Sequence, residues 1–298
     1  MTAPGRRRRE VVRTPAEPRS PARVLVSSVS LAVCVLSAWS LLYVLFISDV
    51  QEARSQHELY ATFRAELAQA IAPVNPPLAL GAPVAMISIP KAGLHDSMTV
   101  EGTTSGLLRS GPGHLPSSVL PGEPGVSILF GRSATFGAPF GGIASLHSGD
   151  LINIVTGQGS FTYAVMDVRR KGDPLPAAPA ANTGRLVLET ADSGGWRSGW
   201  APTGVVYVDA QLRGTPQPDP GGQPGNDSSE EAMHGESGPL LLMEIVLQLE
   251  LLVASSVAVA WLWVRWSRWQ LWLAATPLLL AVLWGLTTTA TRLLPNLL

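Results

Sequence analysis

The sequence is poor in cysteine, lysine and charge, and each shortage sets something aside. A single cysteine, Cys34, occurs in 298 residues, and it sits inside an apolar run. It cannot close an intramolecular disulfide, and a thiol in such surroundings behaves as a small hydrophobe, so neither a disulfide framework nor thiol catalysis is expected. Lysine appears twice against nineteen arginines, which with the richness in Ala, Gly and Pro points to a GC-rich genome. Charged residues make up 14% and the net charge is −1, so the charge balance does not call for a nucleic-acid partner. No metal-ligand cluster, P-loop or dinucleotide fingerprint is present, and no metal or cofactor is expected. The stretch GQGSF at 157–161 reads as a hairpin turn between two strands. Apolar residues are what the chain has in excess: 46% are hydrophobic, beside 29 Gly and 25 Pro. That is too apolar for one soluble domain and fits a membrane protein carrying a globular domain.

Residues 24–47 form a run of 24 without a charge, enough to span a hydrocarbon core of about 30 Å at about 1.5 Å per residue. The run is too long for a cleaved signal and no small-x-small site follows it, so it reads as a transmembrane anchor. Seven arginines precede it (Arg6 to Arg9, Arg13, Arg19 and Arg23). By the positive-inside rule they hold a cytoplasmic tail, residues 1–23. Two more apolar runs, 240–264 and 271–294, flank a short loop whose Arg265 and Arg268 place it inside, ringed by Trp261, Trp263, Trp266, Trp269 and Trp272. The three spans then agree: N-terminus in, residues 49–239 out, tight loop in. Pro277 kinks the last helix without excluding it. Glu244 and Glu250 lie in the second span. Either the helix starts above the bilayer and both stay wet, or they meet a transmembrane partner.

Residues 49–72 contain no proline or glycine and carry Leu59, Phe63, Leu67 and Ile71 at four-residue spacing, an amphipathic helix that reads as a stalk. Residues 213–239 hold five Pro, six Gly and five acidic residues, a composition expected to form a disordered tether. Between them, 84–212 alternates short β-type runs with turns, "VAMISI", "MTV", "VSILF", "DLINIVT", "SFTYAVMDV", "RLVLET" and "VVYVDAQL". A mainly β module follows, a closed barrel or a sandwich.

The phrase "ISIPKAGLHDSMTVEGTTSGLLRSGPGHLPSSVLPGEPG", continued by "SATFGAPFGGIASLHSGDLI" and "GSFTYAVMDVRR", resembles sortases, especially the actinobacterial class E type. The resemblance covers the external module and neither the tether nor the last two helices. It implies a sortase-like eight-stranded β-barrel. In active members that barrel cleaves a Leu-Pro-x-Thr-Gly-like sorting signal and transfers the protein to an amine, often of peptidoglycan.

The same resemblance exposes missing chemistry. Active members use a Cys thiolate, a His that handles protons and an Arg that stabilises the oxyanion. Aligning "FGRSATFGAPF" places Arg132 at the His position, and aligning "LVLETADS" places Ala191 at the Cys position. The Arg position falls near Val205, with Arg197 the nearest guanidinium in sequence. Alanine has no reactive atom, and a guanidinium cannot cycle its proton near pH 7. His114, Arg132, Asp192, Ser193 and Arg197 are the candidate groove residues. Arg132 with Asp192 either forms a salt bridge across the old site or binds an anionic group. Ser193 with His114 is a conceivable substitute nucleophile and base, while the plainer role of His114 is a local turn hydrogen bond.

The sequence therefore reads as a pseudo-sortase, anchored in the cell membrane with its barrel extracellular, that binds a sorting-signal-like peptide or a cell-envelope protein. The proline-rich loop "GDPLPAAPAANTG" would wall the groove. The competing readings are an active enzyme using Ser193 or a thiol supplied in trans, and a structural subunit held through its hairpin.

Overall fold

The computed structural model describes residues 21–69, 78–192, 202, 204–218, 232–263, 265 and 267–298. The chain divides into two compact units, residues 1–42 and 43–298. The described part of the first is α1 (Pro21–Leu42), whose Leu31, Val33, Val35 and Leu41 are all exposed.

The second unit opens with one π-helical turn, Tyr43–Ile47, then α2 (Ser48–Ala68). Tyr43 is fully buried; its hydroxyl donates to Gln51 Oε1 at 2.6 Å and shares a hydrogen bond with Thr288 Oγ1 at 3.0 Å. The helix expected as a stalk is docked instead. Gln56 donates to the carbonyls of Met98 and Ser110 and accepts from the Met98 amide at 2.6 Å, while Phe63 is buried against Met98. Of the apolar series, Leu59 and Phe63 pack against the barrel wall, whereas Leu67 is exposed. Ile71, the last of that series, lies outside the described residues.

Eight strands follow: β1 (Pro83–Ile89), β2 (Leu94–Glu101), β3 (Gly113–His114), β4 (Gly125–Phe130), β5 (Leu151–Thr156), β6 (Gly159–Arg170), β7 (Gly184–Ala191) and β8 (Val205–Arg213). They close as β1-β2-β3-β4-β7-β8-β6-β5, so the module is a barrel and not a sandwich. Period-2 alternation turns Ile87, Ile89, Leu129, Ile154, Leu186, Leu188 and Val208 inward, where Phe140 and Ile143 complete the core. The predicted turn at 157–158 is present between the β5–β6 pair, with Thr156 opposite Gly159.

Two of the pairings are parallel, β2 with β3 and β4 with β7. The second matters most for function. Parallel strands end on the same side, so Phe130 lies opposite Glu189 and the residues that follow β4 emerge beside the end of β7.

Residues 239–290 form a helical hairpin, α3 (Pro239–Leu262) and α4 (Arg268–Ala290), with Pro277 accommodated inside α4. Among the described residues three helices are long and apolar enough to cross a membrane: Val33–Ala68, Pro239–Leu262 and Trp269–Leu293. Glu244 accepts a hydrogen bond from Gln248 within α3 and one from Thr289 across the hairpin, whereas Glu250 is exposed.

One further expectation changes. Within the stretch read as a tether, residues 219–231 lie outside the described residues, but 232–238 are held on the barrel. There the Glu236 amide donates to the Arg292 carbonyl at 2.9 Å. The last candidate span ends at Leu293, one residue short of the expected end. After Ala290 the chain makes a 3-10 turn, Thr291–Leu293, and then a second turn against the barrel, closed by the Leu298 amide donating to the Pro295 carbonyl at 3.1 Å.

Candidate functional site

The parallel β4–β7 pair builds the site. The Gly131 amide donates to the Glu189 carbonyl at 3.0 Å and the Thr190 hydroxyl donates to the Gly131 carbonyl at 2.9 Å. Arg132 therefore leaves β4 alongside Thr190 and Ala191. On the other side of β7, Val205 is the direct cross-strand partner of Ala191. The three positions expected from the resemblance, 132, 191 and 205, are thus gathered at one end of the barrel.

None of the three carries reactive chemistry. Ala191 is 1% exposed and packs with Leu108, Phe130 and Leu297, with Val205 at the margin of the same apolar cluster. Arg132 is fully buried. Its guanidinium donates to the Ser105 carbonyl at 2.8 Å, the Ser105 hydroxyl at 2.9 Å and the Thr135 hydroxyl at 3.2 Å, and it stacks 5.0 Å from the Phe136 ring. Burial lowers its pKa to about 9; Arg109 adds to this and Glu236 opposes it. It remains a cation at pH 7, with its two terminal nitrogens bonded to neutral dipoles, a ring face beside it and its Nε buried without a hydrogen-bond partner.

This overturns the expected Arg132–Asp192 ion pair and the anion-binding reading of Arg132. Asp192 follows Ala191, and side chains alternate across a strand, so it points away from the groove. Its carboxylate meets Arg170 at 3.3 Å. Arg132 meanwhile turns toward Ser105 and Thr135. It has no carboxylate ion-pair partner among the described residues and no exposed surface on which to take an anion. Ser193 and Arg197 lie outside the described residues.

His114 performs the plainer of its two expected roles. It is 1% exposed, with Nδ1 at 2.7 Å from Glu101 Oε2 and Nε2 at 3.0 Å from the Val119 carbonyl. A carbonyl only accepts, so Nε2 carries a proton and cannot take one from Ser118, 3.1 Å away. The Ser118 hydroxyl has its own acceptor, the Leu115 carbonyl at 2.8 Å. The Glu101–His114–Ser118 arrangement therefore lacks the base-to-nucleophile step that a hydrolytic triad needs.

Charge next to this end of the barrel is held by groups the sequence did not single out. Arg169 on β6 forms a buried ion pair with Asp209 on β8 and covers the Tyr207 ring at 5.0 Å. Glu189, two residues before Ala191, has its pKa raised to about 7 by burial, with Asp209 adding and Arg169 opposing. The alternation of β7 and β8 gave the only available signal, because Glu189, Tyr207 and Asp209 fall on the outward face. The proline-rich loop between β6 and β7 is largely exposed and is tied back by Arg185, which donates to the Ala177 carbonyl at 2.6 Å. Among the described residues no group of three or more His, Cys, Asp or Glu side chains could hold a metal ion.

A family model of the sortase domain matches residues 87–193, from β1 through β7 and the Ala191 position. The matched segment is similar to a sortase domain, and the closed eight-stranded barrel is typical of the sortase fold. Among solved structures, a sortase D5 transpeptidase of Clostridium perfringens is 22% identical, with TM-score 0.44, covering 55% of this chain and 99% of its own. Sortase E of Streptomyces avermitilis is 25% identical, with TM-score 0.38, covering 46% of this chain and 92% of its own. Sortase A of Corynebacterium diphtheriae is 20% identical, with TM-score 0.39, covering 57% and 94%. No curated protein matches the chain.

Proposed function

We propose that this chain is a membrane-anchored pseudo-sortase, close in kind to class E, whose barrel stands outside the cell membrane and binds a peptide or an envelope protein without transpeptidation. One observation carries the reading. At the joined ends of β4 and β7, Ala191 supplies no nucleophile, Arg132 is sealed among neutral groups and Val205 supplies no cation. Covalent acyl transfer needs all three functions at that point. The orientation is supported by the seven N-terminal arginines and by Arg265 in the hairpin loop, away from the end that touches the barrel.

A second reading has one observation in its favour. Glu250 is exposed midway along α3, with no hydrogen bond or ion pair among the described residues. A carboxyl at that depth in a lipid-facing helix calls for a polar partner helix.

The test is an assay of the full chain in lipid nanodiscs with Leu-Pro-x-Thr-Gly-like and Leu-Ala-x-Thr-Gly-like peptides and a triglycine acceptor, read by mass spectrometry. Intact peptides are expected. Cleaved or glycine-transferred product would overturn the reading if it persists in protein from a host lacking sortases and disappears in Ser193→Ala.

A further inference from the structure

The apolar cluster over Ala191 contains a residue from far along the chain. Leu297 is fully buried against Leu108, Phe130 and Ala191. The rest of its segment is read mainly through backbone. The Ser133 amide donates to the Leu297 carbonyl at 2.9 Å, the Thr135 hydroxyl to the Leu298 carbonyl at 2.6 Å and the Ser105 hydroxyl to the Leu294 carbonyl at 2.9 Å. One polar side chain is also recognised. Asn296 donates to the Thr103 carbonyl at 3.1 Å and accepts from the Met233 amide at 2.8 Å.

The segment is turned, the Leu298 amide donating to the Pro295 carbonyl at 3.1 Å, and the barrel holds it as a groove holds a short peptide: donors for three of its carbonyls, one apolar pocket and one amide-specific contact. Ser105 and Thr135 serve twice, because the same two residues hold the Arg132 guanidinium from below. Arg132 is thus part of the wall on which the segment lies.

We infer that residues 294–298 are a peptide ligand bound in cis, and that the groove between the 103–109 and 130–136 segments is a receptor for peptides of the pattern Leu-Pro-Asn-Leu-Leu. This rests on the reading of the barrel as a module that binds without cleaving. The segment is also linked to the membrane hairpin. Arg292 donates to Glu236 at 2.7 Å, Glu236 accepts from the Gly106 amide at 2.6 Å, and Arg109 donates to the Thr288 carbonyl at 2.8 Å. A movement of α4 against the barrel therefore withdraws the ligand and frees the groove for a peptide in trans.

A tethered ligand acts at an effective concentration on the order of mM, so a free peptide whose intrinsic Kd is about 100 μM should appear roughly tenfold weaker against the occupied groove. The experiment uses the full chain and a chain stopped after Leu293, both in nanodiscs, with a fluorescent peptide of sequence TRLLPNLL. A second variant of full length, Leu297→Asp, opens the pocket without shortening the chain. The peptide is expected to bind both opened proteins and to bind the native chain at least about tenfold more weakly. In the opened protein, Ala191→Phe should fill the Leu297 pocket and abolish binding.

Equal affinity for native and opened proteins would overturn the inference, as would no binding to either opened protein while hydrogen exchange shows β7 and β8 intact. Mass spectrometry of the same samples separates this from the reading beneath it. Cleaved peptide would count against the binding-only function, and differential binding decides the cis ligand whether or not cleavage occurs.

Discussion

Glu189 makes the stability of the barrel depend on pH in a direction that can be worked out beforehand. Burial, with Asp209 adding and Arg169 opposing, raises its pKa from 4.5 to about 7. Between those values the native protein keeps a proton that the unfolded chain has released. The unfolded state then binds fewer protons, so the free energy of unfolding decreases as pH rises through this window and levels off above it. The stabilisation is complete below pH 4.5 and lost above about 7, and it amounts to roughly 3 kcal/mol. With a urea dependence of about 2 kcal/mol per molar, the unfolding midpoint should drop by about 1.5 M between pH 4.5 and 8. Pulse proteolysis of the nanodisc-embedded chain along a urea series, at several pH values, reads that midpoint. Glu189→Gln keeps the shape and removes the ionisation, so the difference between native and variant chains isolates this carboxyl from every other titrating group. Identical pH profiles for the two proteins would refute the argument.

If the proposed reading of the site is right, Ala191→Cys and Arg132→His together should still yield no cleavage of a Leu-Pro-x-Thr-Gly peptide by mass spectrometry. Position 205 offers no cation, and Leu297 covers position 191; turnover would show that neither matters. Gly113→Ala should lower the urea midpoint by about 1 M or more. Its Cβ would press into the Gly102 carbonyl and stand 2.6 Å from Leu108 Cδ2, where β2 and β3 run parallel. An unchanged midpoint would mean that this pairing yields without cost.

The barrel was legible because its strands alternate and its turns carry glycine and proline. Seven of the eight strands coincide with apolar runs visible in the sequence. The eighth, Gly113–His114, has two residues, too few for any period to show, and it was recognisable only as part of the motif "GPGHLP". The positions 132 and 191 were picked out by phrases that resemble the family's, and the structure brings both to one end of the barrel beside Val205. What escaped is long-range. Asp192 was paired with Arg132 on proximity to the vacant position, whereas strand alternation sends it toward Arg170. The stretch "LLPNLL" is as apolar as the helix before it, and hydropathy does not distinguish a lipid-facing turn from a segment that leaves the membrane to lie on a barrel. Residues 232–238 looked like the rest of a flexible linker, because their order comes from Asn296 and Arg292 and not from their own composition.

The sequence separation of those contacts has a consequence for how the protein is made. Asn296 meets Thr103 across 193 positions, and Ser105 meets Leu294 across 189. All eight strands precede residue 214, so the barrel closes from contacts within one stretch of chain. Its cover arrives only after both hairpin helices have been synthesised, several seconds later at about 5–20 residues per second. During that interval the nascent barrel stands with its groove open. A chaperone or competing peptide present at that time meets a surface that the finished molecule no longer displays.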